Sequence, residues 1–209
     1  MRDEGCGEIV DQTIAQPINE SKAASIFSFP PRPSDFLSAW FSGCPRDQLL
    51  ELRALRVPDG VPSQEFFAMD AIGELLGRAF SLVETHNCYF GVCPRVRPRG
   101  TKADVTHAPG LWTDLDFKGF EDGEAGALRT LSEFQLPPTW ILGTGGGYHC
   151  YWTLRAPARA DAHFERRLKA LATILRADLA ATDTARVLRV PGTWNHKRDF
   201  QVKVLSWPT

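Results

Sequence analysis

The sequence predicts one domain of mixed helices and strands. Its 209 residues are enough for one sizeable hydrophobic core and too few for two. Apolar residues make up 43% of the chain and charged residues 23%, an ordinary composition for a globular protein. From Phe36 onward, strand-like and helix-like segments alternate, which is the pattern of a mixed α/β domain.

The N-terminal segment is expected to lie outside this domain. Residues 1–33 are polar and lead into FPPRPSD, a proline-rich stretch that cannot continue a helix or a central strand. We therefore predict an arm over 1–33 and a folded domain over 34–209. The first residues lack the basic and apolar regions of a signal peptide, and no apolar run is long enough to cross a bilayer. We expect a cytoplasmic protein with no membrane partner.

Hydrophobic periodicity predicts the elements of the first half. LLELRALRV (49–57) alternates as a strand does, and PDGVPS after it has the residues of a turn. NCYFGVCP (87–94) is predicted to be the next strand. Between them, AMDAIGELLGRAFSLVET predicts a helix with one apolar face, formed by Met69, Ile72, Leu75, Leu76, Ala79, Phe80 and Val83.

The second half shows the same alternation. Strands are predicted at LWTDLDF (111–117), on both sides of the glycine run within 139–154, and at the final QVKVLSW. Helices are predicted at 123–134 and 161–178. The second helix has an apolar face formed by Phe164, Leu168, Leu171, Ala172 and Leu175.

Net charge and cysteine content exclude two classes of protein. A net charge of −1 is not that of a polycation that coats nucleic acid, although a local basic groove is compatible with it. The five cysteines are odd in number, and only Cys88 and Cys93 lie close together, as C-x4-C. Because no second pair completes a tetrahedral zinc site, we predict reduced, half-buried thiols for both.

The first candidate site is Asp114-Leu115-Asp116, inside an apolar strand. Side chains two residues apart on a strand point to the same face, so both carboxylates converge. Two carboxylates so close repel each other unless a cation lies between them, and hard oxygen ligands suit magnesium or manganese. The alternative is a pair of exposed acids on an edge strand.

The second candidate site is Gly145-Gly146-Gly147, followed by YHCYW. Successive glycines allow backbone amides to form a cradle for an anion, and His149 lies just beyond it. Strand alternation would place His149 and Tyr151 on one face, and Tyr148, Cys150 and Trp152 on the other. The alternative is a hairpin turn followed by an aromatic core strand.

The third candidate site is DTARVLRVPGTWNHK, which begins at Asp183. It supplies another carboxylate and then Arg186, Arg189 and Lys197, with Pro191-Gly192 forcing a turn between them. The acid and the cations would form either a surface salt-bridge cluster or a metal ligand beside cations that bind a triphosphate.

In this order and with these spacings, the three motifs resemble the archaeo-eukaryotic primase (AEP) superfamily, within it the RepB-like primase-polymerases of plasmids, phages and other mobile elements. That family has a D-x-D or D-x-E strand and a glycine-rich strand that ends in the catalytic histidine before an aromatic pair. A third acid then leads into R-h-P-G-T-x-N-x-K, where h is apolar. The match covers roughly residues 87–205. The resemblance implies an α+β fold, with an RRM-like antiparallel sheet, flanking helices and an N-terminal α/β unit, and makes 34–209 the catalytic domain.

The resemblance also implies a template-dependent nucleotidyltransferase that acts by two-metal phosphoryl transfer in replication of a mobile element or in DNA repair. Asp114, Asp116 and Asp183 would bind two Mg²⁺ or Mn²⁺ ions. His149 would join them as a catalytic residue and contact the phosphates of an incoming dNTP or NTP. The expected activity is DNA polymerisation. Priming is left open, because this sequence ends at Thr209 whereas many relatives continue into a priming module, a zinc element or a helicase. A helicase or priming module, on the same or another chain, is an expected partner.

The remaining site predictions concern the nucleotide and the DNA. Gly146 and Gly147 would admit the phosphates, and Arg189, Asn195 and Lys197 match the nucleotide-binding run of the family. The segment RVRPRGTKAD (95–104) is basic and broken by glycine and proline, so we predict a long loop there. Its cations would bind phosphates of a DNA template or primer, or else belong to a solvated hairpin: Arg95, Arg97, Arg99 and Lys102.

Two alternative functions come from other classes. A metal-dependent nuclease or nicking initiator would need a paired-histidine H-x-H motif and a nucleophilic tyrosine, whereas the five histidines here are scattered. A non-catalytic nucleic-acid-binding module would retain the fold with vestigial acids. The presence of all three carboxylates argues against it, but it remains the first alternative.

Overall fold

The computed structural model describes residues 31–205, in which the chain forms four α-helices and ten strands. The helices are α1 Pro33–Phe41, α2 Ile72–Ser81, α3 Glu124–Glu133 and α4 Ala162–Ile174. The strands are β1 Leu49–Arg56, β2 Ser63–Ala68, β3 His86–Gly91, β4 His107–Asp116, β5 Trp140–Gly143, β6 Gly147–Arg159, β7 Val187–Arg189, β8 Trp194–Asn195, β9 Phe200–Gln201 and β10 Lys203–Leu205. No helix in this part of the chain has the length and apolar character needed to cross a membrane.

The strands form two four-stranded antiparallel sheets and a small hairpin. Their orders are β2-β1-β3-β7 in the first sheet and β10-β5-β6-β4 in the second, and β8 pairs with β9. The chain builds most of the first sheet and then most of the second, returns to the first with β7, and completes the second with β10. This return brings the third sequence motif against β3. The antiparallel sheets and flanking helices confirm the predicted α+β fold class.

Helix α1 lies at the centre of an aromatic cluster between the two sheets. Pro33 occupies the first turn, where its missing N–H costs nothing, and Asp35 accepts a hydrogen bond from the Arg32 backbone N–H at 2.9 Å. Phe36 and Trp40 on its buried face lie 4.9 and 5.0 Å from the Tyr151 ring of β6. Such tilted and edge-on contacts stabilise the core beyond the area they bury.

The opposite face of the second sheet packs on α3 and α4. Tyr148, Cys150 and Trp152 of β6 lie in this second cluster, whereas Tyr151 lies in the first. The side chains of β6 therefore alternate between two cores, as the sequence predicts. All five apolar residues predicted for the buried face of α4 are buried.

Among the differences from the sequence-based predictions, three concern helix α1, strand β2 and two cysteines. Helix α1 begins at Pro33, inside the stretch predicted to be an arm; residues 1–30 of that arm lie outside the described residues. Strand β2 was not predicted, because this edge strand has no fully buried residue and a weak apolar pattern. Cys88 and Cys93 are fully buried rather than half-buried, and burial raises the pKa of the Cys88 thiol to about 11.

Candidate active site

The pairing of β4 with β6 brings the first two sequence motifs together. Asp114 lies opposite His149 and Asp116 opposite Gly147 in the antiparallel register. The His149 Nε2 atom is 3.7 Å from Asp114 Oδ1. Both carboxylates are 32% exposed, so solvent ions can reach them.

His149 is almost enclosed at this position. It is 5% exposed, and its Nδ1 atom has no hydrogen-bond partner among residues 31–205. Burial lowers the pKa of His149, the Asp114 carboxylate opposes this shift, and the nearby Arg189 cation adds to it. The imidazole is therefore neutral at pH 7, and it can take part in a hydrogen bond without adding a formal charge.

Asp183 lies in the loop between α4 and β7, and this loop runs beside β4. The Asp178 N–H donates to the Asp114 carbonyl at 2.8 Å, and the Trp112 indole N–H donates to the Ala181 carbonyl at 2.8 Å. These bonds bring the third motif to the strand that carries the first. The Asp183 carboxylate is 31% exposed and pairs with Arg186 at 2.6 Å.

The three aspartates were predicted to bind two divalent metal ions. As donors they fit, since partly exposed carboxylates are the ligands that Mg²⁺ and Mn²⁺ prefer. Two of them are already paired with cations of the same chain, Asp116 with Lys118 at 2.7 Å and Asp183 with Arg186. Within residues 31–205 no three acidic, histidine or cysteine side chains converge as a ready-made metal site. Metal binding by all three would therefore require their carboxylates to move closer together.

Asp116 has a more cationic environment than its neighbour on the strand. Partial burial would raise its pKa, but the hydrogen bonds and charge of Lys118, together with the charge of Arg198, lower it. Asp116 is therefore ionised at neutral pH. Arg198 was not singled out in the sequence, although it directly follows Lys197 of the third motif.

The glycine run forms the connection from β5 to β6, with Gly145 at φ +82°, a conformation that favours glycine. Gly147 was predicted to admit phosphates, but the structure gives a different reason for a glycine at this position. Gly147 is buried, and a Cβ atom there would lie 2.1 Å from the Leu115 carbonyl oxygen of β4. Gly147 is needed for the close approach of the two strands. The nearest atoms to a Cβ on Gly146 would be those of the Arg198 side chain, so Gly146 remains a candidate phosphate contact.

The three residues predicted to bind nucleotide differ in their environments. Arg189 donates to the Asn87 side-chain oxygen at 2.9 Å and stacks over the Tyr89 ring, and it lies close enough to Asp114 and His149 to affect the charge of the site. Lys197 is exposed. Asn195 is 3% exposed, and its amide donates to the Thr144 carbonyl at 2.6 Å. In the structure the Asn195 amide therefore holds the turn, and a nucleotide contact by this residue stays a prediction.

Asn87 is a second residue that the sequence did not reveal. Its side-chain oxygen accepts from Arg189 and from the backbone N–H of His196 at 3.1 Å. It thus joins β3 to the middle and to the C-terminal end of the third motif. These partners are more than 100 residues away along the chain, so no local pattern marks the position.

The basic loop does not present all four of its predicted DNA contacts. Arg95 is fully buried in an ion pair with Glu51 at 2.6 Å, so it cannot contact a DNA phosphate, and that prediction is wrong. Arg97 pairs with Asp104, and Lys102 with Glu165, but both keep more than half of their side chains exposed. Arg99 is exposed and forms no salt bridge within residues 31–205.

A shallow cavity of about 230 Å³ lies beside the third motif. Val83, Glu84, Trp194 and His196 line it. None of the three candidate carboxylates lines this cavity. The candidate chemistry therefore lies at the partly exposed C-terminal end of β4 rather than in this cavity.

Neither a protein-family model nor a curated protein matches the sequence. Solved structures with a similar fold include the AEP domain of the cyanophage S-2L primase-polymerase, with a TM-score of 0.57 and 15% identity over 77% of this chain and 82% of that one. The crystal structure of primase RepB' has a TM-score of 0.55 and 14% identity over 84% of this chain and 56% of that one. Its catalytic domain in complex with initiator DNA has a TM-score of 0.54, with 14% identity over 84% and 85% of the two chains. The chain therefore has the fold of the AEP primase-polymerase catalytic domain.

Proposed function

We propose that the chain is a template-dependent nucleotidyltransferase, a DNA polymerase whose capacity to prime DNA is a further question. The observation that carries the proposal is the register of β4 and β6, which places Asp114 opposite His149 on an AEP fold. Proteins of this fold in the comparisons are named as primases and primase-polymerases. We further propose a role in replication of a mobile element or in DNA repair, as the sequence resemblance implies.

In this proposal, Asp114, Asp116 and Asp183 hold Mg²⁺ or Mn²⁺. When bound, such ions stabilise charge on the attacking and leaving oxygens of a phosphoryl transfer. Asp114 and Asp116 lie on one strand and Asp183 in the loop beside it, and in this proposal the three carboxylates converge when the cations bind. The role of the three carboxylates is to bind the cations and to fix the positions of these cations.

His149 and the cations around it would orient the triphosphate. The neutral imidazole supplies a hydrogen bond, while Arg189 and Lys197 supply charge that offsets the phosphates. Arg198 extends this cationic set towards Gly146 and Asp116. In the sequence these cations follow Asp183, whereas the basic loop precedes β4. We assign the first group to the nucleotide and the loop to the DNA.

The remaining loop cations, Arg97, Arg99 and Lys102, would bind phosphates of the template or primer. The Lys102 pair with Glu165 brings this loop to α4, whose Glu165 also accepts hydrogen bonds from Thr184 beside Asp183. The loop therefore reaches the neighbourhood of the candidate carboxylates. Contacts of this kind provide affinity rather than base specificity.

A primer-extension assay tests the proposal. Purified protein is incubated with a primed DNA template, labelled dNTPs or NTPs, and Mg²⁺ or Mn²⁺; an unprimed template tests priming. We expect metal-dependent extension by the wild type and none by Asp114→Asn. Metal-dependent cleavage of the DNA without nucleotides, lost in Asp116→Asn, would instead assign the protein to the nucleases.

A non-catalytic DNA-binding module is the second candidate, and one observation favours it. The pairs of Asp116 with Lys118 and of Asp183 with Arg186 neutralise two of the three carboxylates without any metal. If these pairs persist, the wild type should bind single-stranded DNA but incorporate no nucleotide at any metal concentration. Direct measurement of Mn²⁺ binding to the free protein separates the two candidates.

A further inference from the structure

The buried ion pair between Glu51 and Arg95 has every polar atom engaged. Neither side chain is exposed to solvent. One Glu51 oxygen accepts from Arg53 Nε at 3.0 Å and from Gln64 at 2.9 Å, and the other accepts from Arg95 Nε at 2.7 Å. A buried charge is costly unless it is paired and hydrogen-bonded, so this network fixes the Arg95 guanidinium in one orientation.

The rest of that guanidinium points at the loop of the third carboxylate. Arg95 donates to the Thr184 carbonyl at 3.4 Å and to the Ala185 carbonyl at 3.0 Å. These are the two residues that directly follow Asp183. They lie about 90 positions further along the chain, so Arg95 joins the first sheet to the candidate site.

A second support holds the same loop from the other side. Glu165 of α4 accepts from the Thr184 backbone N–H at 3.0 Å and from the Thr184 hydroxyl at 3.2 Å. Glu165 is itself paired with Lys102 at 2.8 Å. Two buried or half-buried charged groups therefore bind the peptide units next to Asp183.

We propose that Arg95, fixed by Glu51, is a positioning residue for the Asp183 carboxylate, with Glu165 as the second support. This assignment rests on the proposed function. It replaces the predicted role of Arg95 in DNA binding, because the guanidinium binds protein carbonyls in the interior. Groups that orient a metal-binding carboxylate typically affect metal affinity or activity by about 10- to 100-fold when they are removed.

The test compares Arg95→Met with Arg53→Met. Both variants remove a cation bound to Glu51, but Arg53 has no contact with Thr184 or Ala185, so it is a matched control. Glu165→Ala removes the second support at a partly exposed position. If Arg95→Met does not fold, Glu51→Leu/Arg95→Met replaces the whole buried pair with apolar groups, which proteins commonly tolerate.

Three measurements follow: hydrogen exchange of the peptide covering residues 183–186, Mn²⁺ binding to the free protein by paramagnetic resonance, and kcat and KM for nucleotide incorporation. We expect faster exchange, Mn²⁺ affinity weakened by about 10-fold or more, and a fall in kcat in Arg95→Met, with smaller changes of the same kind in Glu165→Ala. Arg53→Met should remain close to wild type. Equal exchange and equal Mn²⁺ affinity in Arg95→Met and Arg53→Met would overturn the inference.

A failure of the positioning role can be distinguished from a failure of the proposed function. If the wild type incorporates no nucleotide, the proposed function fails, but exchange still decides whether Arg95 holds the loop. If the wild type is active and Arg95→Met loses DNA affinity while its kcat and loop exchange are unchanged, the positioning role is refuted.

Discussion

Gly147→Ala adds a methyl group at the point where β6 lies closest to β4. The new Cβ would be 2.1 Å from the Leu115 carbonyl oxygen and 3.1 Å from the Asp116 Cα atom. Both obstacles are backbone atoms of β4, so no side-chain rotation relieves the clash. The two strands must separate beside Asp116, where the candidate site is built.

The expected cost follows from the size of that clash. Contacts to a Cβ below 3.4 Å are already tight, so the Leu115 carbonyl has to move by more than 1 Å. Overpacking of a well-packed interior costs about 1–3 kcal/mol, and a backbone obstacle places this case at about 2–3 kcal/mol. For a domain of this size, that corresponds to a fall in Tm of about 4–12 °C.

Urea unfolding and thermal denaturation measure the cost, and Gly146→Ala is the matched control. The nearest atoms to a Cβ on Gly146 belong to the movable end of the Arg198 side chain. We therefore expect less than about 1 kcal/mol for this neighbour. Equal stability of the two variants would refute the packing role of Gly147.

Three further predictions concern single contacts. Asn195→Ala leaves the buried Thr144 carbonyl without its donor and should lower the free energy of unfolding by about 1–3 kcal/mol in urea titrations; no change would remove Asn195 from the turn. The Thr101 hydroxyl holds the pKa of Asp104 below its usual range, so the stability that Asp104 contributes is present above about pH 4 and is lost as pH falls through the lower folded pKa. The difference in unfolding free energy between wild type and Asp104→Asn should accordingly shrink towards pH 3, and a constant difference would contradict this. Arg99→Gln should reduce the salt slope of single-stranded DNA binding by about 0.7, whereas an unchanged slope would place DNA elsewhere.

Periodicity was sufficient to predict most of the elements and the alternation of β6. Its side chains face two cores, so Tyr151 separates from Tyr148 and Trp152 as a period of two requires. Helix α1 was missed because the prolines before Phe36 favour irregular structure, although one of them suits a first helical turn. Local sequence preferences do not decide whether these prolines belong to irregular structure or to the start of a helix.

The features of the site that the sequence did not reveal come from contacts across long sequence separations. Arg95 belongs to a basic, loop-like segment, and its burial depends on Glu51, 44 residues earlier on β1. Asn195 is polar and follows a turn, but its partner Thr144 lies 51 residues away. Both residues match patterns that also suit surface contacts, so only the sheet arrangement shows that they are internal.

The central claim is that Asp114, Asp116 and Asp183 support nucleotide addition. The most direct test supplies a primed template, the one complementary nucleotide and Mn²⁺, and measures both primer extension and pyrophosphate release by wild type, Asp114→Asn and Asp183→Asn. The account predicts one pyrophosphate for each nucleotide added by the wild type, and a loss of about 100-fold or more in each variant, as is typical when one electrostatic stabiliser is removed. Asp114→Asn should unfold at the wild-type temperature or slightly above, because it loses a negative charge on the same strand face as Asp116. Asp183→Asn should unfold slightly below it, by the small amount expected when the partly exposed pair with Arg186 is lost. Folded variants that extend the primer as fast as the wild type would contradict the account.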